Sequence, residues 1–164
     1  MTGYGVAFVM LGDEPLNWSG PGRLGVVDEV VEIDPFVDDP RLPEFFGPAW
    51  TAVLGFHELL VDQGVLRGLV GPREVGRLWE RHLLNSAAVV SFLPSTGQIV
   101  DLGSGAGLPG VVVAAMLPEA EVVLLEPMER RTIWLTEVIE RLGLGNASCG
   151  AHARRRRSTC RLTR

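Results

Sequence analysis

Asp101-Leu-Gly103-Ser104-Gly105-Ala-Gly107 gathers the residues of this chain best suited to hold a charged small molecule. Alternate glycines reach positive φ and bring backbone amides against a ligand with no Cβ between. The G-x-G-x-G spacing departs from the G-x-G-x-x-G of dinucleotide folds, whose first turn cradles a pyrophosphate. A nicotinamide-dependent oxidoreductase is disfavoured on that ground. The Asp101 carboxylate also suits an ammonium better than a pyrophosphate. The methionyl part of S-adenosyl-L-methionine (AdoMet) carries such a group. Glu126, about 20 residues beyond the loop, is placed to accept hydrogen bonds from both hydroxyls of a ribose. Taken singly, the glycines read as a tight turn and Glu126 as a solvated strand end. Their order along the chain is what points to a cofactor.

The surrounding residues supply elements that would position this loop. Gln98-Ile-Val-Asp-Leu102 reads as a buried strand, and Val111 to Leu117 as a small-residue helix ended by Pro118. Glu121-Val-Val-Leu-Leu-Glu126 reads as a second buried strand. Met128 to Leu142 has helical spacing, with Ile133, Trp134, Val138 and Ile139 facing inward and Gly143 as its stop. Upstream, Pro48 to Leu66 predicts an amphipathic helix ending at Gly64. A second helical stretch runs from Pro72 to Leu93, with Gly76 weakening its first turn. Helices followed by β-α-β-α predict a parallel α/β sheet with an N-terminal helical cap.

Charge divides the chain. All 20 acidic residues precede Arg141, every basic residue is arginine, and six of the 15 arginines crowd between Arg154 and Arg164. The acidic body argues against non-specific nucleic-acid binding, which rests on phosphate neutralisation. Any RNA contact must then come from a local patch. No apolar run approaches the roughly 18–20 residues that cross a bilayer, and no basic residue precedes Val6 to Leu11 as in a signal peptide. A cytoplasmic protein is the expectation. Cys149 and Cys160 make no metal or disulfide framework. Four segments are predicted: an acidic, disordered leader over 1–43 with no site, a helical cap over 44–95, the first half of a cofactor-binding sheet over 96–146, and a basic tail over 147–164.

The loop continues as Leu108-Pro-Gly110, and upstream stands Leu78-Trp-Glu-Arg-His-Leu-Leu-Asn-Ser86. Both resemble the bacterial small-subunit ribosomal RNA methyltransferases of the RsmG (GidB) family, which methylate guanine N7 in 16S rRNA. Glu126-Pro-Met-Glu-Arg-Arg131 and Trp134-Leu-Thr-Glu137 are similar to that family's segment after the second strand. The resemblance spans Phe46 to Asn146. It implies a Rossmann-like, AdoMet-dependent methyltransferase sheet, incomplete here, and a partner in 16S rRNA of the small ribosomal subunit. Gly103 and Leu108 match the family's AdoMet-contacting positions. Asp101, Ser104, Gly105 and Glu126 share that pocket by the chemistry above. Arg81, His82, Arg130 and Arg131 match basic positions of the family and are candidates for RNA or pocket contacts. For His82 a packed helix histidine is an equally good reading.

The family's pattern continues past Asn146 with a third strand, an Arg-Ala-Glu-Glu-like segment and several further strands. Residues 147–164 differ in composition from everything before them. A reading-frame slip accounts for this: codons AGG-AGG-TCG for Arg156-Arg157-Ser158 give Glu-Glu-Val in the adjacent frame. A basic RNA-binding tail is the alternative. Two functions follow: an rRNA guanine-N7 methyltransferase, or a catalytically silent AdoMet- or ribosome-binding fragment with an unpaired strand edge.

Overall fold

The computed structural model describes residues 34–150, so residues 1–33 of the predicted leader and 151–164 of the predicted tail lie outside the described residues. Helix α1 (Arg41–Phe46) leads through a 3₁₀ turn into α2 (Trp50–Gln63), which Gly64 ends as its spacing predicts. A short α3 (Pro72–Val75) follows. A π-helical turn (Trp79–Leu83) then passes into α4 (Leu84–Val89) and a last 3₁₀ turn. The single helix expected over Pro72 to Leu93 is therefore broken. Gly76 stops α3 after one turn, and the chain restarts two residues on.

The second part is β1 (Gly97–Leu102), α5 (Gly110–Met116), β2 (Ala120–Leu125), α6 (Glu129–Leu142) and β3 (Ala147–Gly150). The three strands form one parallel sheet in the order β1-β2-β3. Core residues Phe56 and Leu60 of α2, Val111 to Val113 of α5, Val122 and Leu124 of β2, and Trp134, Leu135 and Val138 of α6 form one cluster. No helix among the described residues is long and apolar enough to cross a membrane.

Three expectations need correction. The leader does not extend to residue 43. Asp34 is 3% exposed, and its carboxylate accepts the Phe36 N–H at 3.1 Å and the Trp79 N–H at 2.6 Å, tying the chain before α1 to the π-helical turn. Ala147–Gly150, at the start of the predicted tail, pairs with Val122–Leu125 as the third strand that the family resemblance implies. Among the described residues strand β1 is an edge strand rather than a buried one, with Val100 46% and Leu102 71% exposed. Ile133 points outward, since a 3.6-residue period cannot bury it beside both Trp134 and Val138.

Asn146 joins the two halves of the β-α-β unit. Its amide nitrogen donates to the carbonyls of Ala114, Leu117 and Ala120 at 3.0–3.1 Å, stitching the end of α5 to the start of β2. Asn146→Ala leaves these carbonyls without that donor. It is expected to lower unfolding stability by about 1–3 kcal/mol in urea titration. A change within experimental error would show that water replaces the amide at no cost.

Candidate cofactor site

The glycine loop leaves β1 at Leu102 and enters α5 at Gly110. Its turn is pinned at the start, where Gly103 and Ser104 donate their N–H groups to the Leu125 carbonyl at 2.7 and 3.2 Å. Ser104, itself buried, donates its hydroxyl to the Asp101 carbonyl at 3.1 Å. The middle is held from below: the indole Nε1–H of Trp134 donates to the Ala106 carbonyl at 2.8 Å. Gly107 has φ +106°, and a Cβ there would stand 2.7 Å from Val111 and 3.2 Å from Phe56. The Leu108–Pro109 peptide is cis, and Leu108 packs against the core.

The two carboxylates singled out in the sequence both sit at this loop. Glu126, 2% exposed, stands just past β2; its Oε2 accepts the Gly105 N–H and its Oε1 the Met128 N–H, each at 2.9 Å. Asp101 Oδ2 accepts the Gly110 N–H at 3.2 Å, at the start of α5. Both acids therefore hold the protein's own amides. Each carboxylate oxygen has a second lone pair, so further hydroxyl or ammonium donors can be accepted.

The basic candidates separate into two groups. Arg131, in the first turn of α6, reaches the loop: its Nη1 lies 3.9 Å from Glu126 Oε2 and 4.0 Å from where a Cβ on Gly105 would stand. Its Nε is buried without a hydrogen-bond partner among the described residues. Arg130 beside it is exposed. Arg81 and His82 lie on the π-helical turn, where both are bound by Glu74: Arg81 Nη1 and His82 Nε2 each stand 3.0 Å from its carboxylate. This three-residue cluster is not legible in the sequence, because the single helix expected there would hold Glu74 about 10 Å along its axis from Arg81, and the break at Gly76 brings them together. A cleft of about 460 Å³ opens elsewhere, beside Trp50, His57 and Trp79. These rings stack on one another as core packing, and the cleft contains no loop residue.

The hydrogen bond from His82 holds Glu74 below its ordinary value of 4.5; partial desolvation opposes this and the Arg81 charge adds to it. A carboxylate that titrates lower when folded contributes stability that is complete above pH 4.5 and lost as the pH falls through its folded value. Glu74→Gln is thus expected to show a smaller loss of thermal midpoint between pH 6 and pH 3 than the unaltered chain. Identical acid limbs would remove Glu74 from the account.

A Cβ on Gly103 would meet nothing within 4 Å among the described residues, so the start of the loop is open there, and the carboxylates of Glu126 and Asp101 hold the turn on either side. A parallel β-α-β-α-β unit with this loop after its first strand defines an incomplete Rossmann-like methyltransferase fold. Residues 51–155 match the family described as rRNA small subunit methyltransferase G, and the chain belongs to that GidB family. Curated relatives carrying the name ribosomal RNA small subunit methyltransferase G are 53% identical over 102 residues in Beutenbergia cavernae (62% of this chain, 48% of the relative) and 54% over 103 residues in Thermobifida fusca (63% and 44%). Another, from Mycolicibacterium paratuberculosis, is 46% identical over 131 residues (72% and 53%). The chain spans about half the length of the curated relatives it matches.

Proposed function

We propose that this chain carries the AdoMet-binding part of a methyltransferase acting on guanine N7 of 16S rRNA in the small ribosomal subunit. The approach of Glu126 to Gly105 supports this reading most directly, because it holds a carboxylate against the glycine turn. AdoMet, when bound, supplies an electrophilic methyl group on a sulfonium. Gly103, Ser104 and Gly105 give the backbone approach, Leu108 an apolar wall, Glu126 an acceptor for the ribose hydroxyls and Asp101 one for the ammonium. Guanine N7 has a lone pair that is unprotonated at neutral pH, so no strong general base is required. Catalysis then rests on in-line positioning and the electrostatics of the pocket, and no acid or base is assigned. N7 lies on the major-groove edge, so the RNA must present the base from a loop or splay it out. Arg81, His82, Arg130 and Arg131 are the residues offered for that contact, and the cytoplasm, where ribosomes work, is the place of action.

A second reading is favoured by the exposed face of β1: a silent fragment that binds AdoMet or the ribosome without turnover. Calorimetry with AdoMet and with NAD, followed by methyl transfer from labelled AdoMet to small subunits lacking the modification, separates the two. Binding with transfer supports the enzyme, and binding of AdoMet without transfer supports the fragment. Binding of NAD alone would overturn the cofactor assignment.

A further inference from the structure

One peptide plane fixes the middle of the glycine turn. The Ala106 carbonyl accepts the Trp134 indole N–H at 2.8 Å, and the Gly107 N–H of the same plane donates to the Ser104 carbonyl at 2.7 Å. Glycine torsions are the least restricted of any residue, so the orientation of this plane depends on those two bonds. Trp134 is fully buried, and a buried indole N–H needs a partner inside the protein.

The indole is in turn covered from the helical cap. Arg67 stands in the loop between α2 and α3, with its guanidinium carbon over the ring and 5.2 Å from the centroid. That loop is well tied. The Arg67 N–H donates to the Gln63 carbonyl at 2.9 Å, and the Leu69 and Val70 N–H groups turn back to the Gly64 carbonyl at 2.8 and 3.2 Å. Arg67 Nη2 lies 2.9 Å from Glu137 Oε2, while Arg141 Nη2 holds Glu137 Oε1 at 2.8 Å. Glu137 follows Trp134 by three residues on α6, so the helix that carries the indole also carries the acid that aims the guanidinium. An ion pair this accessible contributes little stability by itself. Its effect is to keep a cation in one place. Within about 6 Å a cation is attracted to the π electrons of an indole. It draws density from the ring and makes the in-plane N–H a stronger donor.

We propose that Arg67 is a positioning residue for the cofactor turn. It acts through Trp134, strengthening the N–H that holds Ala106 and keeping the ring beneath the turn, without contact to the cofactor. The cap thereby sets how firmly the turn is shaped. The effect on affinity rests on the reading of this turn as an AdoMet cradle, whereas the effect on the turn itself does not.

Arg67→Met removes the charge from a loop side chain that is 35% exposed, so the variant keeps its fold by circular dichroism. Calorimetry should find AdoMet bound about threefold to tenfold more weakly, the range of a single cation–π contact. In the ligand-free chain the Ala106 carbonyl-carbon resonance should move upfield, as its hydrogen bond weakens. Arg67→Lys, which retains a cation, should restore most of both. Trp134→Phe removes the donor, and in that background Arg67→Met should have no further effect on either. An Ala106 resonance unmoved by Arg67→Met would overturn the proposal, whether or not AdoMet binds. So would an AdoMet affinity within twofold of the unaltered chain, a lysine no better than methionine, or an equal loss with and without the indole N–H. If the unaltered chain fails to bind AdoMet while the resonance responds as expected, the cofactor reading fails and the link from Arg67 to the turn stands.

Discussion

Gly107→Ala is expected to lower unfolding stability by about 3 kcal/mol or more and to abolish AdoMet binding with it. Two causes add. A φ of +106° is strained for any residue with a Cβ, and that Cβ would press on Val111 at 2.7 Å, with Phe56 and Leu135 close behind. None of these neighbours can yield freely, since Phe56, Val111 and Leu135 are buried in the shared core of α2, α5 and α6. Gly103→Ala is the internal control. Its φ of +78° carries a similar conformational penalty, yet a Cβ there meets open space. Its stability should fall by only about 1–2 kcal/mol. Urea unfolding of both variants measures the difference. Equal losses would mean that backbone conformation alone dictates the loop and that its packing on the core counts for nothing.

Glu126→Gln tests the other half of the site. The carboxylate accepts two backbone amides, one on each oxygen, and a glutamine can accept only one of them. Its NH₂ group must then face either Gly105 or Met128, donor against donor. Stability is expected to fall by about 1.5–3 kcal/mol, the range for hydrogen bonds to charged groups. AdoMet affinity should fall further, about tenfold to a hundredfold, because the same oxygens are proposed to receive the ribose hydroxyls. Calorimetry on the folded variant decides it. An affinity within twofold of the unaltered chain would confine Glu126 to holding the loop.

The strand–loop–helix–strand–acid order was legible because each part has a local signature. Gly103, Gly105 and Asp101 announce a cradle, Pro118 ends a helix, and Glu126 closes an apolar run. What stayed hidden depends on partners remote in sequence. Asp34 binds the backbone of Trp79, 45 residues away, and backbone amides leave no mark in a side-chain pattern. Asn146 looks like an ordinary turn residue until its three carbonyls are in place. Strand β3 is Ala-Ser-Cys-Gly, with no β-branched residue to signal it, and it forms because β2 offers an open edge. The apolar run of β1 correctly indicated a strand. Composition cannot say whether both of its faces are covered, and among the described residues one is not.

Trp134 gives the loop an optical voice. Its indole N–H is bonded to the Ala106 carbonyl, its ring is fully buried, and the Arg67 guanidinium lies 5.2 Å from the ring centroid. An indole so placed emits according to the dipoles and charges around it. Whatever shifts the glycine turn moves the carbonyl to which Trp134 is bound. With Trp18, Trp50 and Trp79 replaced by phenylalanine, the fluorescence of Trp134 should therefore report occupancy of the turn from beneath it.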